Sequence, residues 1–499
     1  MGEAQGWLFE PSFNRAVKVC ASDDRITSDA GLILLREADH RLGLTESLAQ
    51  RLGDPRRQDL IRYQLVELLR ERLYALAQGY SAQDDADRLA HDPAMKMAVW
   101  DRPGEQTLDE RLASQPSQSR LINILTLTPG NRAALRDALG ESCERHLRAT
   151  GGDHAARRVT LDIDSFPILA HGRQPGAAYN GHYREFVYHP LVASYSVAGD
   201  YDSMQDGHRL GNGFVHALLR QGQVHTAQGV KRFLREVVRK ARGLGHVLDF
   251  RIDAGYTDGA TLDFLTDEKL RFLGRLKSNP VLERLAEPHL GRRVGRPPKG
   301  GYEDVVELGL YRAEPWKNPQ RLLLVIVDRP DPQTGQLNLL PDYFFLVAGW
   351  KSEELDGPAA LEHYRRRGTF EDRLGEFQQA IRPRLSHGDF HANEALLRLS
   401  LLAFNLASML RIEYEATTGC GCDLGRFQRD MLKAGGRVVK GSHRLLLYVA
   451  QVVAPFWELL AACLHRWKLP PRFPPLRGPR SRPWMPPPRH AFLYEVRRC

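Results

Sequence analysis

The sequence predicts a mixed α/β protein: a helical N-terminal region, an α/β core broken by a β-rich insertion, and a helical C-terminal region ending in a Pro/Arg-rich tail. Three observations carry this. Leucines at helical spacing dominate residues 25–150; from residue 157 short β-rich runs alternate with amphipathic segments; and between about 280 and 350 three further β-rich runs appear. At 499 residues the chain exceeds one compact domain. The composition shifts divide it at 1–150, 151–279, 280–352, 353–465 and 466–499.

Each element has a local reason. Ile61, Leu65, Leu69, Leu73 and Leu76 mark one helix face that ends before Gly79, a C-terminal cap. Ser81, three residues before Asp84, suits the cap of the next helix. "ASQPSQSRLINIL" places Pro116 at a helix start, with Ser117, Gln118 and Arg120 forming a polar face that suits phosphates or base edges. "RVTLDIDS" alternates as a strand, with Asp162 and Asp164 on one face. "FVYHPLVASYSVAG" reads as a second strand and "DSMQDGHRL" as a third or a turn into one. "VHALLRQGQVHTAQGVKRFLREVVRKARGLG" reads as a helical region with a break at Gly222 or Gly229. "HVLDFRIDAGYTDG", "GATLDFLTDEKL" and "RFLGRLK" complete a β-β-β-α-β-α-β order. "DVVELGLYR", "RLLLVIVDR" and "DYFFLVAGW" form the insertion, and helices are expected from there to about residue 469.

Composition narrows the function classes. The apolar runs "EALLRLSLLAFNLASML" and "LLLYVAQVVAPFWELLAACL" are too short or interrupted to span a bilayer, so no membrane partner is expected. The N-terminus lacks the pattern of a signal peptide, and six scattered cysteines form no disulfide framework, so a reducing cytoplasm is the expected compartment. Cys420 and Cys422 have no second pair, which argues against zinc. The net charge is +9, yet residues 466–499 alone hold nine basic residues, one acid and nine prolines. An extended basic strap of this kind suits a polyanion, because each neutralised phosphate releases counterions. "RRVGRPPKGG" sets Arg296 in a Gly-Arg-Pro context similar to an AT-hook, whose arginine enters a narrow minor groove.

Three acids stand out by context. Asp164 ends a strand, Asp253 ends "LDFRID" before the tight "AGYTDG", and Glu371 lies in "HYRRRGTFEDRLGEFQQ". Periodicity alone does not choose between Asp162 and Asp164. Carboxylates at strand ends and on a neighbouring helix can hold two Mg²⁺ ions, with Mn²⁺ as a substitute, for phosphodiester chemistry. On a helical wheel at about 100° per residue, Tyr364, Arg367, Glu371 and Gln378 fall within about 60° of one another, apart from the stripe of Phe370, Leu374, Phe377 and Ile381. Gly368 and Gly375 fall beside Glu371, where small residues would let a backbone approach. Thr369 could instead cap a helix that starts after Arg367, in which case the wheel would not extend to Tyr364.

The spacing Tyr364, Arg367, Glu371 resembles the signature Tyr-x2-Arg-x3-Glu-x6-Lys of bacterial insertion-sequence DDE transposases, with Gln378 at the lysine position. In order along the chain, "RITSDAGLILLREADHRLGL", "YALAQGY", "LASQPS", "LDIDS", "HGRQ", "YHPL", "RLGN", "RIDAGY" and "YRRRGTFE" are similar to the branch known as insertion sequence family thirteen-eighty. The resemblance implies a ribonuclease-H-like core with Asp164, Asp253 and Glu371 as the catalytic metal ligands. It also implies phosphate contacts for Tyr364 and Arg367. Gln378 departs from the pattern, since an amide can hydrogen-bond a phosphate but supplies no charge. Arg373 could compensate, and Arg251 is a weaker phosphate candidate. Insertion tryptophans stack on flipped bases in some relatives, which makes Trp316 and Trp350 candidates beside their ordinary role in a core.

The function so implied is cutting element ends and joining them to target DNA. The partners would be terminal inverted repeats, flanking DNA and target DNA, held by a homodimer that synapses two ends in a bacterial, nucleoid-associated setting. The N-terminal region would serve DNA binding or dimerisation. The rivals are a ribonuclease-H-like nuclease without strand transfer and a domesticated, non-catalytic DNA-binding protein.

Overall fold

The computed structural model describes residues 7–14, 16–101, 106–151, 153–170, 172–198, 209–224, 227–291, 301–329, 341–441 and 444–468. The N-terminal region is helical as expected, with α1 (Leu32–Leu42), α2 (Leu65–Ala77), α3 (Gln115–Leu127) and α4 (Pro129–Thr150) as its main elements. A reciprocal cap between Gln64 and Glu67 opens α2, and Gly79 takes a left-handed φ of 83° just past its end. Ser81 does not cap the following helix. Asp84 holds that position, and the side chain of Asp85 accepts from the Ala82 N–H.

The α/β core begins with β1 (Arg158–Ser165), β2 (Leu191–Ala198) and β3 (Arg209–Leu218). Then come α5 (Val230–Ala241), β4 (Val247–Ile252), α6 (Gly259–Asp267) and β5 (Arg271–Leu276). The strands β6 (Tyr302–Tyr311), β7 (Gln320–Asp328) and β8 (Asp342–Ala348) follow. All eight form one sheet in the order β6-β7-β8-β5-β4-β1-β2-β3. β4 lies parallel to both β1 and β5, and every other pairing is antiparallel. The β-rich insertion therefore continues the core sheet, with β8 hydrogen-bonded along β5.

Further expectations are corrected. "FVYHPLVASYSVAG" is two strands rather than one: Glu185–Tyr188 pairs with Ile168–Leu169 and Ala178–Asn180 in a small separate sheet, and Leu191–Ala198 is β2. Val215–Leu218 were read as helix but belong to β3, and the helix starts at Val230, after Gly229 with φ 79°. Phe214 to Ala217 are buried on both faces of the strand, so the run shows no alternation that would separate strand from helix. The C-terminal region is also not wholly helical: Gly436–Lys440 and Leu445–Val449 form a hairpin that pairs with Arg25–Thr27.

The helices α7 (Gly357–Arg365), α8 (Gly368–Glu376), α9 (Phe390–Thr418) and α10 (Ala454–Arg466) close the fold. α9 is apolar and long enough to cross a membrane, but its most apolar stretch is wholly buried and shares one core with α1–α4. Its Asn405 holds a bulge of β3: the side-chain oxygen accepts from the Phe214 N–H at 2.8 Å, and the amide donates to the Phe214 carbonyl at 2.8 Å. Gly31 is a second point of closure. A Cβ there would lie 2.3 Å from the Leu432 backbone, against which Gly31 donates a hydrogen bond.

Glu71, buried in α2, accepts from the Ala113 N–H at 3.2 Å, and burial pushes its carboxyl up to about 8. Because the folded value lies above the unfolded one, the stability it contributes is full below the ordinary carboxylate range and is lost as pH rises toward 8. We expect Glu71→Gln, which keeps shape and acceptor, to flatten the fall in melting temperature between about pH 5 and about pH 8. An unchanged pH slope in thermal unfolding would contradict this.

Candidate active site

β1 and β4 run parallel with Asp162 opposite Arg251 and Ile163 opposite Ile252, so Asp164 and Asp253 stand side by side one position beyond the last paired residues of these two strands. Asp164 is part-buried and takes the Ser165 N–H on Oδ1 at 2.7 Å. Burial raises its carboxyl above the ordinary range and the negative charge of Asp253 adds to this, while Arg367 opposes it. Arg367 donates from Nη2 to Asp164 Oδ2 at 2.5 Å and from Nη1 to Glu371 Oε1 at 3.0 Å. Burial works against the charge of Arg367, but Asp164 and Asp253 hold its guanidinium above the usual value. Glu371 is 66% exposed and reaches the site through this bridge.

The chain bends at the signature stretch. α7 ends at Arg365 and α8 begins at Gly368, with a tight turn in which Arg367 N donates to the Tyr364 carbonyl and Phe370 N to the Arg367 carbonyl. One continuous wheel from Tyr364 to Gln378 therefore does not hold. Arg367, at the turn, is buried at 7% exposure. Tyr364 remains beside the acids: burial pushes its hydroxyl up to about 12, with the Arg367 charge opposing and Asp253 adding. A Cβ on Gly368 or Gly375 would meet nothing within 4 Å, so this face is open.

Other expected residues lie elsewhere. Asp162 is 1% exposed and binds Arg251 through two hydrogen bonds of 2.8 and 2.6 Å, with Arg251 also donating to the His363 carbonyl. Arg251 is thus a buried counter-ion and is not placed to meet a DNA backbone. Arg373 is 4% exposed and donates to Ser194 Oγ and the Tyr195 carbonyl, so it anchors α8 to β2 and cannot stand in for the lysine at position 378. Trp316 packs edge-on against Tyr311 and covers Gly259, while Trp350 packs against His363; both are core residues rather than stacking platforms. Gln378 is exposed and donates to the Pro167 carbonyl at 3.1 Å, three residues from Asp164. Glu376 pairs with the buried Arg411, whereas Asp372 stays exposed. Arg296 lies outside the described residues, as does the tail from residue 469.

Sequence reasoning missed Tyr256 and Arg220, which stand beside Asp164. Tyr256 donates to Ser165 Oγ at 2.8 Å, and Arg220 donates to the His189 carbonyl while its charge is felt by Tyr256 and Tyr183. Tyr256 stands in "RIDAGY" and His189 in "YHPL", so the ordered blocks contained these residues without revealing what they touch.

Among the described residues no three His, Cys, Asp or Glu side chains form a ready metal-ligand set. The donor chemistry nevertheless fits a hard divalent cation. Asp164 is a largely desolvated carboxylate that already binds a cationic group, and Asp253 and Glu371 add only oxygen donors.

One large mixed sheet carries Asp164 and Asp253 at the same ends of two parallel neighbouring strands. The chain belongs to the family described as Transposase DDE domain group 1, whose model matches residues 9–469. No curated protein matches the chain. Among solved structures, it is similar to the piggyBac transposase synaptic complex with hairpin DNA, at 12% identity and a TM-score of 0.40, over 89% of this chain and 84% of that one.

The two aspartates of β1 differ in a measurable way. Removing one partner of a buried ion pair costs about 3–5 kcal/mol, so Asp162→Ala should lower stability by that amount in urea unfolding. Asp164→Asn should cost less than about 1.5 kcal/mol, because it relieves a desolvated charge. Equal losses would mean that Asp162 is not the structural member of the pair.

Proposed function

We propose that the chain is a DDE transposase of the insertion-sequence branch family thirteen-eighty, which cuts element ends and joins them to target DNA. The observation that supports this most is the meeting of Asp164 and Glu371, far apart in sequence, around the single guanidinium of Arg367, with Asp253 acting on the same group. The core sheet, with three antiparallel strands followed by two parallel ones joined through helices, supports a ribonuclease-H-like reading of the core.

Asp164, Asp253 and Glu371 would hold Mg²⁺ or Mn²⁺, which when bound supplies activation of the attacking oxygen and stabilisation of the leaving one. The rest falls to the chain itself. Arg367 can exchange a carboxylate for a phosphate, because its fork matches both geometries. Gly368 and Gly375 leave room for a sugar–phosphate backbone along α8. Tyr364 keeps its hydroxyl protonated well beyond neutral pH and can donate to a phosphate oxygen. Gln378 offers a hydrogen bond where relatives have charge. Arg251, Arg373, Trp316 and Trp350 leave the list of DNA contacts. A homodimer on paired terminal repeats, acting in the bacterial cytoplasm, is the assembly this reading implies.

The test is cleavage and strand transfer on element-end DNA with Mg²⁺ or Mn²⁺. Asp164→Asn, Asp253→Asn and Glu371→Gln should each lose at least the ~100-fold typical of disturbing groups around a catalytic metal. Cleavage without joining would favour a nuclease. Full activity in all three variants would remove this reading.

A further inference from the structure

A groove of about 620 Å³ opens on the N-terminal helical layer, lined by Arg56, Arg57, Arg62, Arg111 and Arg120 and by the hydroxyls of Ser114 and Ser117. The buried Leu68 and Leu112 give it an apolar base, and no acid lines it. Tyr63 ties the two walls together: its hydroxyl shares its one proton between the Arg111 and Leu112 carbonyls, both at 3.1 Å. We propose that this groove is a second DNA site, separate from the acids, which grips the sugar–phosphate backbone of duplex DNA without reading its sequence; it rests on DNA being the substrate.

Shape and chemistry both point to backbone. A concave cleft receives a convex ridge, and on a duplex that ridge is the phosphate strand, whereas base edges are read by elements that protrude into a groove. The sequence offered Ser117, Gln118 and Arg120 as a face for phosphates or base edges; Ser117 and Arg120 line the groove, whereas Gln118 is 1% exposed and absent from it. Arg56 belongs to the scaffold: it clamps Asp54 through Nε and Nη2 and donates from Nη1 to the Tyr63 carbonyl. The other arginines are available. Arg57–Asp59, Arg62–Glu110 and Arg111–Asp87 are exposed pairs, the last two at 3.7 and 3.8 Å. Pairs of this kind contribute little, so a phosphate displaces the carboxylate at small cost. Arg120 makes no ion pair among the described residues and stands one helical turn from Ser117.

Full-length wild type and an Arg62→Ala/Arg111→Ala/Arg120→Ala variant are titrated with a fluorescent mixed-sequence duplex over a range of salt concentrations. The slope of log affinity against log salt should shrink by about 2.7 in the variant, close to 0.9 per phosphate contact, with affinity at least about tenfold lower. Glu110→Gln/Asp87→Asn, which removes competing carboxylates, should tighten binding. Both variants should keep the wild-type circular dichroism and melting behaviour. Unchanged affinity and slope in the triple variant would overturn the groove while leaving the transposase reading intact. Loss confined to element-end DNA, with mixed-sequence binding retained, would overturn backbone recognition in favour of base reading. A wild type with no affinity for any duplex would instead remove the DNA reading on which the proposal stands.

Discussion

The burial of α9 is the constraint on which the other parts rest. Its 29 residues run through the core shared by the N-terminal helices, the edge of the sheet and the helical segments after the insertion. Burying such a helix gives a large but undirected apolar gain. Direction comes from its few polar side chains. Asn405 satisfies both backbone groups of Phe214 at the bulge of β3, and so fixes the helix along the sheet. Phe404 packs against Phe214 and Phe377, which couples the same helix to the segment following α8. The signature stretch is thus held from behind by α9 and from the side by Arg373 on β2.

On that support the site is an arrangement of charges at two depths. The inner pair, Asp162 and Arg251, is fully desolvated and closed on itself. The outer group, Asp164, Arg367 and Glu371, shares one cation between a part-buried and an exposed carboxylate. Two residues along one strand face therefore hold identical side chains in opposite situations, one satisfied by its neighbour strand and one at the strand end, where it shares Arg367 with Glu371. The difference comes from the register with β4, which sets Arg251 beside Asp162 and Asp253 beyond the last paired position.

Much of this was legible in the sequence, and what was not has physical reasons. The order of strands and helices in the core followed from alternation and helical spacing, and the acids were marked by their place at strand ends. The start of α5 was misread because Phe214–Ala217 are buried on both faces, which removes the period on which the distinction depends. The wheel failed at Arg366 and Arg367 because a tight turn of helical backbone gives no compositional sign beyond Thr369. The roles of Arg251 and Arg373 were invisible because an arginine in an ion pair or against a carbonyl looks, in sequence, like an arginine meant for phosphate. Trp316 and Trp350 were weighed between two fates, and only packing separates them.

The closure at Gly31 has a temporal side. Strand Arg25–Thr27 is completed by residues 436–438, and the first helix begins against backbone at residue 432. A chain emerging from the ribosome makes its N-terminal helical layer first, yet it lacks the surface that seals that layer until synthesis has passed residue 438. Shortened products are thereby left with exposed apolar helices and an unpaired strand edge, the features that quality-control proteases and chaperones act on.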